Sequence, residues 1–375
     1  MKKNILIALS TVITIVCIIV SIIIIHKPLK ENDPIIKEIK LTKALEEYKD
    51  YSISLIHNNN GKILGTIESE KTDLILFSTI AIFEYDINTE KINIYEQAGN
   101  ERIIDFYITG NYLYSCILTY NDETSYKWKI IKENLTNNKK EEMIVGIIPD
   151  AFEYPRILGN NGNSIFVISK NDDHIELLKI NENVETLKTI TGKHLDMIQL
   201  NFAYYKDSNI YYIKSLNEND QILRLNVDTL EEDKIYETNN NLYSINVFEQ
   251  ISVIHEADNN SKVYLTTISN DGKDFINKLE ITELLTFSKN ITSTSFICHL
   301  SEKSWKEYNI QNNNLTSLDF SKLEQYNLLP QYFVIGNDRI IVQSFENTFY
   351  IINISKLRRW NIFYKKKKRE EVLWR

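Results

Sequence analysis

A polar turn that recurs about every 44 residues is the feature that most constrains how this chain folds. Its two clearest copies are Tyr85–Lys91 (Tyr-Asp-Ile-Asn-Thr-Glu-Lys) and Leu225–Glu231 (Leu-Asn-Val-Asp-Thr-Leu-Glu). Successive markers of this turn are separated by 48, 47, 45, 43, 40 and 44 residues. The markers are Asp86, Asn134, Asn181, Asn226, Ser269, Asn309 and Asn353. A period in this range predicts a four-stranded unit that buries its faces only against neighbouring copies.

The segments between these turns have the composition of β-strands. They are rich in Ile, Val, Tyr, Phe and Thr and are bounded by Asn, Asp, Gly and Lys, as in Asn111–Tyr114, Asn163–Val167 and Asn209–Ile213. Only Asp274–Leu285 offers a helical alternative. We therefore expect an all-β fold assembled from repeated hairpins.

The repeated unit resembles that of bacterial extracytoplasmic β-propeller proteins. An aromatic strand, the Asn-Val-Asp-Thr-Leu-Glu turn at 226–231 and the Lys-Ile-Tyr strand at 234–236 carry this resemblance. It implies a β-propeller, and the seven turn markers predict about seven four-stranded blades over residues 51–364, with six or eight as alternatives. A different β-sandwich or solenoid is the alternative fold. The chain has no Trp-Asp dipeptide and no Gly-Gly pair. The resemblance therefore identifies an architecture, and no family's functional residues transfer to this sequence.

The two ends of the repeat region predict how the ring closes. We expect Leu357–Tyr364 to supply the last strand of the final blade. Residues 51–57 and 62–68 either belong to the first blade or close the ring.

An uncharged run at residues 4–25 predicts a membrane span. Its 22 residues are dominated by Ile, Val and Leu, and as a helix they extend about 33 Å, enough to cross a hydrocarbon core. A cleaved signal peptide is the first alternative, but no small-x-small triplet follows the run. Lipid modification of Cys17 is the second, although bulky residues precede it at Thr14–Val16. We predict a retained transmembrane signal anchor.

The charges that flank this run predict its orientation. Lys2 and Lys3 precede it, so residues 1–3 are assigned to the cytoplasm and the C-terminal domain to the extracytoplasmic side of the cell membrane. Asp33-Pro34 is typical of a helix start, and the apolar spacing after it predicts a partly helical stalk over residues 26–50. The expected product is a single-pass membrane protein.

Charge is segregated along the chain. The formal net charge is −8, but residues 31–355 hold 30 basic and 49 acidic side chains, a balance of −19. An acidic body argues against nucleic acid as a partner. Residues 365–375 form a basic tail that begins Lys-Lys-Lys-Lys-Arg. This tail is either a solvated end or a contact for anionic lipid or wall polymer.

Linear catalytic, cofactor and metal signatures are missing from the sequence, so no catalytic residue is predicted and no cofactor or metal is expected. His255–Asp258 offers a base and a carboxylate, but it precedes Asn259-Asn260 and is interpreted as the exposed end of a hairpin. Asn171–Asp173 and Asn270–Asp274 are acidic turns that do not match a calcium loop. Cys116 and Cys298 are expected to be free and buried.

Three functional hypotheses follow. The leading one is a binding or scaffolding module for a protein, peptide or envelope glycan on one face of the propeller. The alternative is an extracytoplasmic hydrolase or lyase whose site is assembled from several blades. The third is a purely structural envelope protein, which needs no concave polar site. Two carboxylates, or a histidine and a carboxylate, converging near the centre would favour the enzyme.

Overall fold

The computed structural model describes 35–59, 61–70, 77–97, 101–122, 125–148, 155–171, 174–191, 203–215, 219–281, 287–292, 295–301, 304–318, 321–334 and 339–357. These residues form seven four-stranded antiparallel sheets, which we call blades 1 to 7. Within each blade the strands A to D are hydrogen-bonded in that order. The predicted all-β fold is confirmed.

The strands of the first four blades follow one another along the chain. Blade 1 contains β2 (Ser52–Asn59), β3 (Lys62–Glu70), β4 (Phe77–Asp86) and β5 (Lys91–Glu96). Blade 2 contains β6 (Arg102–Thr109), β7 (Tyr112–Asp122), β8 (Ser125–Asn134) and β9 (Lys140–Ile148). Blade 3 contains β10 (Arg156–Asn160), β11 (Ile165–Asn171), β12 (His174–Ile180) and β13 (Val184–Thr191). Blade 4 contains β14 (Ala203–Lys206), β15 (Asn209–Ser215), β16 (Asp220–Asn226) and β17 (Glu232–Thr238).

The last blade differs from the others because its D strand comes from the beginning of the chain. Blade 5 contains β18 (Asn241–Val247), β19 (Ile251–Ala257), β20 (Val263–Ser269) and β21 (Phe275–Ile281). Blade 6 contains β22 (Phe287–Thr292), β23 (Ser295–Ser301), β24 (Ser304–Asn309) and β25 (Asn314–Leu318). Blade 7 contains β26 (Leu328–Val334), β27 (Arg339–Ser344), β28 (Phe349–Asn353) and, as strand D, β1 (Ile36–Glu38).

Seven clusters of buried apolar side chains occur in the described part of the chain, and each joins two consecutive blades. One of them joins Ile341 and Phe349 of blade 7 to Ile53 and Phe83 of blade 1. The blades therefore form a closed ring. From blade 2 round to blade 1 the A strands of successive blades contact one another, which makes them the innermost strands. The architecture is a β-propeller.

In blades 1 to 6 the recurring turn joins strands C and D, and in blade 7 its marker Asn353 ends strand C. All seven markers stand at the end of a C strand or directly after it. Each marker's side chain accepts a hydrogen bond from a backbone N–H farther along the turn, as when Asn226 Oδ1 accepts from Asp228 at 3.0 Å and Thr229 at 2.9 Å. The other six are Asp86, Asn134, Asn181, Ser269, Asn309 and Asn353. These are the local turns that Asn, Asp and Ser side chains favour, so the repeat is confirmed at every copy.

Two sides of the ring can be distinguished by their connections. The A–B and C–D turns lie on the side that we call the lower side, and the B–C turns and D–A connections lie on the upper side. This follows because the strands of a blade alternate in direction, so successive connections lie at opposite ends of the strands.

The outermost strand of blade 7 corrects one prediction. β1 pairs with β28 through Ile36 and Ile352, and the N–H of Ile39 donates to the carbonyl of Phe349 at 3.1 Å. Because β1 occupies the free edge of β28, the expectation that Leu357–Tyr364 would form this strand is wrong. Residues 354–357 form a helical turn, with Leu357 buried between blades 6 and 7, and residues 358–364 lie outside the described part.

The stalk prediction is also corrected from residue 36 onward. The segment is partly helical, as expected, with a short helix α1 (Lys40–Ala44) and a 3₁₀ turn (Glu46–Tyr48), but it packs into the ring and does not form a stalk. Leu41 and Leu45 are buried against Phe349 and other core residues of blades 7 and 1. The apolar residues whose spacing suggested a stalk helix instead pack between blades 7 and 1, where the ring closes. Residues 26–34 lie outside the described part.

Two smaller predictions can be compared with the structure. Residues 51–57 and 62–68 belong to blade 1, and Asp274–Leu285 contains strand β21 rather than a helix, with 282–286 not described. No described helix is both long and apolar enough to cross a bilayer. Residues 4–25, for which the sequence predicts a span, lie outside that part of the chain.

Candidate functional site

Exposed aromatic rings on the upper side are the first element of the candidate site. Tyr51 directly precedes β2, Tyr243 lies on β18, and Phe345 lies in the B–C turn of blade 7. Their exposed fractions are 38%, 38% and 64%. Tyr51 and Tyr243 therefore lie beside or on innermost strands, and their side chains are exposed to solvent on the upper side of the propeller.

Hydrogen bonds between blades 7 and 1 fix the position of Tyr51. The Asn347 amide donates to the Tyr51 carbonyl at 2.8 Å, and the Gln343 amide donates to the Ile53 carbonyl at 2.6 Å. Gln343 also donates to Asn347 Oδ1 at 2.9 Å. The turn that carries Phe345 is thus bonded to the segment that carries Tyr51.

Tyr243 is positioned by a β-bulge and by a buried histidine. The register of β18 against β19 shifts between Leu242 and Ser244, so Tyr243 is the extra residue of the bulge. Its ring centroid lies 5.4 Å from that of His255 on β19. His255 is only 3% exposed, and its Nε2 has no hydrogen-bond partner among the described residues. Burial lowers the pKa of His255 to about 4, so the imidazole beneath Tyr243 is neutral at neutral pH.

Glu256, the next residue, is a fully buried carboxylate between blades 4 and 5. Lys278 Nζ on β21 lies 2.8 Å from its Oε1. The Thr266 hydroxyl on β20 also donates to this oxygen. From the side of blade 4, hydrogen bonds arrive from Tyr236 OH at 3.2 Å, Thr238 Oγ1 at 3.2 Å and Asn240 Nδ2 at 3.0 Å. The carboxylate therefore links its own strand, β19, to three other strands (β17, β20 and β21) and to the connection between blades 4 and 5.

The protonation states in this network follow from the donors. Burial alone would raise the pKa of Glu256, but the hydrogen bonds from Lys278, Thr266 and Asn240 outweigh it and lower that pKa. Burial, together with the Glu256 charge, raises the pKa of Tyr236 to about 12. Glu256 is thus an ionised acceptor held by its donors, which suits it to positioning strands and makes it a weak general base.

His255 and Glu256 do not form a catalytic pair. Alternate residues of a strand point to opposite faces: Val253 and Ala257 pack toward blade 6, while Ile254 packs toward blade 4. His255 shares the first face and Glu256 the second. The interpretation of this segment as an exposed hairpin end is therefore wrong for both residues, since both are buried within β19.

The hairpin interpretation holds for Asp258, which caps the B–C turn of blade 5. Its Oδ1 accepts from the backbone N–H of Asn260 at 2.8 Å and of Lys262 at 2.9 Å. Sequence inspection missed the network around Glu256 because its donors come from four separate segments. The available signal was a Glu inside an otherwise apolar strand, where a charge is rarely buried without partners.

A second buried carboxylate lies on the upper side between blades 1 and 2. Glu68 on β3 accepts from the Thr66 hydroxyl at 3.0 Å, and its Oε2 lies 3.7 Å from Arg102 Nη2 on β6. Burial raises the pKa of Glu68, although Arg102 and Thr66 act in the opposite direction. A buried carboxylate is thus bonded to a neighbouring blade at more than one interface.

The remaining residues that the sequence singled out behave as turns or core. Asn270–Asp274 forms the C–D turn of blade 5, where Asp271 Oδ1 accepts from the Ser269 hydroxyl at 2.7 Å. Asp172 and Asp173 lie outside the described part. Within the described part, no three His, Cys, Asp or Glu side chains are grouped as metal ligands would be. Cys116 is free and buried as predicted, and burial raises its pKa.

No protein-family model and no curated protein matches this chain. Solved structures share its fold. The β-propeller domain of the Trilobed protease from Pyrococcus furiosus matches with a TM-score of 0.51 at 9% identity, over 81% of this chain and 95% of that one. The uncharacterized protein lmo1340 from Listeria monocytogenes EGD-e matches with a TM-score of 0.50 at 9% identity, over 82% and 92% of the two chains. At such identities the similarity concerns the fold alone.

Proposed function

We propose that this protein is a membrane-anchored, extracytoplasmic β-propeller that acts as a binding or scaffolding module. Its ligand is a protein, a peptide or an envelope glycan, and it binds on the upper side of the ring. Residues 4–25 are the anchor in this proposal, on the strength of their 22 uncharged residues and the Lys2-Lys3 pair before them.

The exposed aromatic rings carry the proposal. Tyr51, Tyr243 and Phe345 keep a third or more of their surface in water on the same side of the ring. Aromatic rings provide a large, rigid contact area with little loss of conformational entropy, and they stack on apolar faces of sugars and of peptide side chains. Because these rings are apolar, a ligand that covers them lowers the free energy of the complex relative to the separate molecules.

The rigidity of the surrounding network supports the same function. Tyr243 rests on a buried imidazole, and the adjacent Glu256 connects its blade to the preceding one. A ring whose position is fixed before the ligand arrives loses little entropy on binding.

Capture of ligands by matched variants tests the proposal. The full-length protein, solubilised from membranes in detergent, is used for protein pull-down and for binding to isolated envelope glycans. The test variant combines Tyr51→Ala, Tyr243→Ala and Phe345→Ala, and we expect at least a tenfold loss of the retained ligand. The control combines Tyr112→Ala, at a residue equally exposed on the lower side, with Phe275→Ala on the outermost strand of blade 5. Equal capture by the two variants, or no capture by the natural protein, contradicts the proposal.

A further inference from the structure

Three aromatic side chains belong to the upper side of the seam where blades 7 and 1 meet. Tyr48 ends the 3₁₀ turn after α1, and its ring centroid lies 6.1 Å from that of Tyr51 at an interplanar angle of 60°. The N–H of Tyr51 donates to the Tyr48 carbonyl at 3.0 Å, which fixes the turn that carries both rings. Phe345 lies in the B–C turn of blade 7, whose Asn347 amide donates to the Tyr51 carbonyl. We call Tyr48, Tyr51 and Phe345 the seam cluster.

Exposed carboxylates belong to the same segments as the seam cluster or to the adjacent end of β5. They are Glu46, Glu47, Asp50, Glu96 and Glu346. Between Glu46 and Tyr51 the only basic residue is Lys49. Burial raises the pKa of Tyr48, and the charges of Glu47 and Glu96 raise it further, so both carboxylates lie near its hydroxyl. The aromatic rings of the seam cluster therefore lie in a negative electrostatic potential.

Elsewhere in the described part of the chain, tyrosine rings carry lysines of the protein itself. Lys132 Nζ lies 4.5 Å from the ring centroid of Tyr112, and Lys278 Nζ lies 4.3 Å from that of Tyr264. The negative face of an aromatic ring attracts a cation in this position. Over the rings of Tyr51 and Phe345 the structure describes no such lysine or arginine. These two exposed rings are therefore available to a cation from another molecule.

We propose that the seam cluster binds a Lys- or Arg-rich segment of a partner protein. This inference rests on the proposed binding function and names the class of ligand for part of its surface. The cationic groups lie over the rings of Tyr51 and Phe345, and the neighbouring carboxylates attract them. Arginine suits the site best, because its planar guanidinium stacks on aromatic faces. A neutral glycan stacks on the same rings but gains nothing from the carboxylates, so the charge of the site favours the basic protein segment.

Binding of a labelled hexa-arginine peptide to the full-length protein in a neutral detergent tests the proposal. Fluorescence anisotropy at an ionic strength of about 0.1 M measures the Kd. Hexacitrulline, in which a neutral urea replaces each guanidinium, is the matched probe. Tyr51→Leu with Phe345→Leu keeps apolar surface but removes the rings, and we expect the Kd for hexa-arginine to rise roughly five- to thirtyfold. Tyr112→Leu with Phe275→Leu is the control, since these residues are 38% and 62% exposed, and it should change the Kd by less than about twofold.

The carboxylates are tested by a second pair of variants. Glu47→Gln with Glu346→Gln should raise the Kd for hexa-arginine by about fivefold or more, because it removes two charges beside the rings. Glu182→Gln with Glu231→Gln is the control, since it changes the net charge equally at exposed positions on lower turns. This control should change the Kd by less than about twofold, because exposed charges far from the site are screened.

Equal affinity for hexa-arginine and hexacitrulline overturns the inference, because recognition would then not depend on charge. Equal losses in the test and control variants also overturn it, because the whole acidic body would then bind the peptide. If Tyr51 and Phe345 are needed to capture an envelope glycan but hexa-arginine does not bind, this inference fails and the proposed binding function stands. If the natural protein captures neither, the proposed function fails as well, so the two failures are distinguishable.

Discussion

The ammonium of Lys278 lies 2.8 Å from the carboxylate of Glu256, on a strand that is two places farther out in the same blade. Glu256 is fully buried, whereas the Lys278 side chain is 34% exposed. The pair therefore runs from the interior of the interface between blades 4 and 5 to its edge. A charge placed so deeply is stable only while its partners remain.

Lys278→Met should destabilise the protein by about 3–5 kcal/mol, because it leaves the fully buried Glu256 carboxylate without its counter-charge. Glu256→Gln should cost less, about 1–3 kcal/mol, because the Lys278 ammonium is exposed enough to reach water. The remaining cost arises because the amide has one acceptor oxygen where the carboxylate has two, so some of the buried donors lose their partner. Chemical denaturation of both single variants and of the double variant measures these costs and the coupling between the two residues.

Glu280→Gln is the matched control for that experiment. Glu280 lies 3.3 Å from Lys262 in the same blade, and both side chains are more than half exposed. Exposed pairs contribute about 0–1 kcal/mol. A cost for Glu256→Gln no larger than that of Glu280→Gln would show that the buried network does not hold the blades together.

His255 should make the protein less stable as the pH falls from about 6.5 to 4. Its pKa is about 4 in the folded protein and near the ordinary 6.5 in the unfolded chain. The unfolded chain therefore binds a proton first, so the contribution is complete above pH 6.5 and is lost as the pH falls toward 4, by about 3 kcal/mol in all. Unfolding free energies measured across this range for the natural protein and for His255→Leu provide the test. The slope in the variant should be shallower by up to one proton, and an unchanged slope contradicts the assignment.

Leu41→Ala should loosen the closure of the ring. Leu41 is fully buried between blades 7 and 1, and removing such a side chain leaves a cavity that costs about 2–5 kcal/mol. Thermal unfolding measures the loss of stability. Relative to the natural protein, amide hydrogen exchange in the variant should accelerate more at β1 and β28 than at the strands of blade 4. Lys43→Ala, on the exposed face of α1, is the control and should change little. Uniform acceleration of exchange over all blades would argue against a local role for this segment.

Asn226→Ala should cost about 1 kcal/mol, because two backbone N–H groups of the C–D turn of blade 4 lose their shared acceptor. Asp228→Ala, an exposed position in the same turn, is the matched control and should stay within about 0.5 kcal/mol. Denaturant titration of the two variants decides between them. Equal effects would mean that the recurrent Asn is a feature of composition and not of turn stability.

Local chemistry explains why the repeat was visible in the sequence. Each marker such as Asp86 or Asn226 accepts hydrogen bonds from its own turn, so its identity depends on residues two to five places away. The same holds for strands such as Asn209–Ser215, whose Ile and Tyr side chains are buried between blades. These features needed no knowledge of distant contacts.

Partners that are distant in sequence decided the features that the sequence did not predict. The outermost strand of blade 7 comes from residues 36–38 because the edge of β28 offers unpaired backbone groups, and a three-residue strand carries too weak a pattern to be noticed alone. The interpretation of His255 and Glu256 as part of an exposed turn was wrong because the donors to Glu256 stand 10 to 22 residues away, some of them in the neighbouring blade.

The sequence by itself determined the all-β repeat, its period and its turn chemistry, since these depend on hydrogen bonds and burial patterns within one blade. Only the tertiary structure decided how the ring closes, which carboxylates are buried and on which side the exposed rings of Tyr51, Tyr243 and Phe345 lie. The physical reason is that each of these features depends on contacts between blades. Such contacts join residues that are far apart in the sequence, so no local pattern of residue types reveals them.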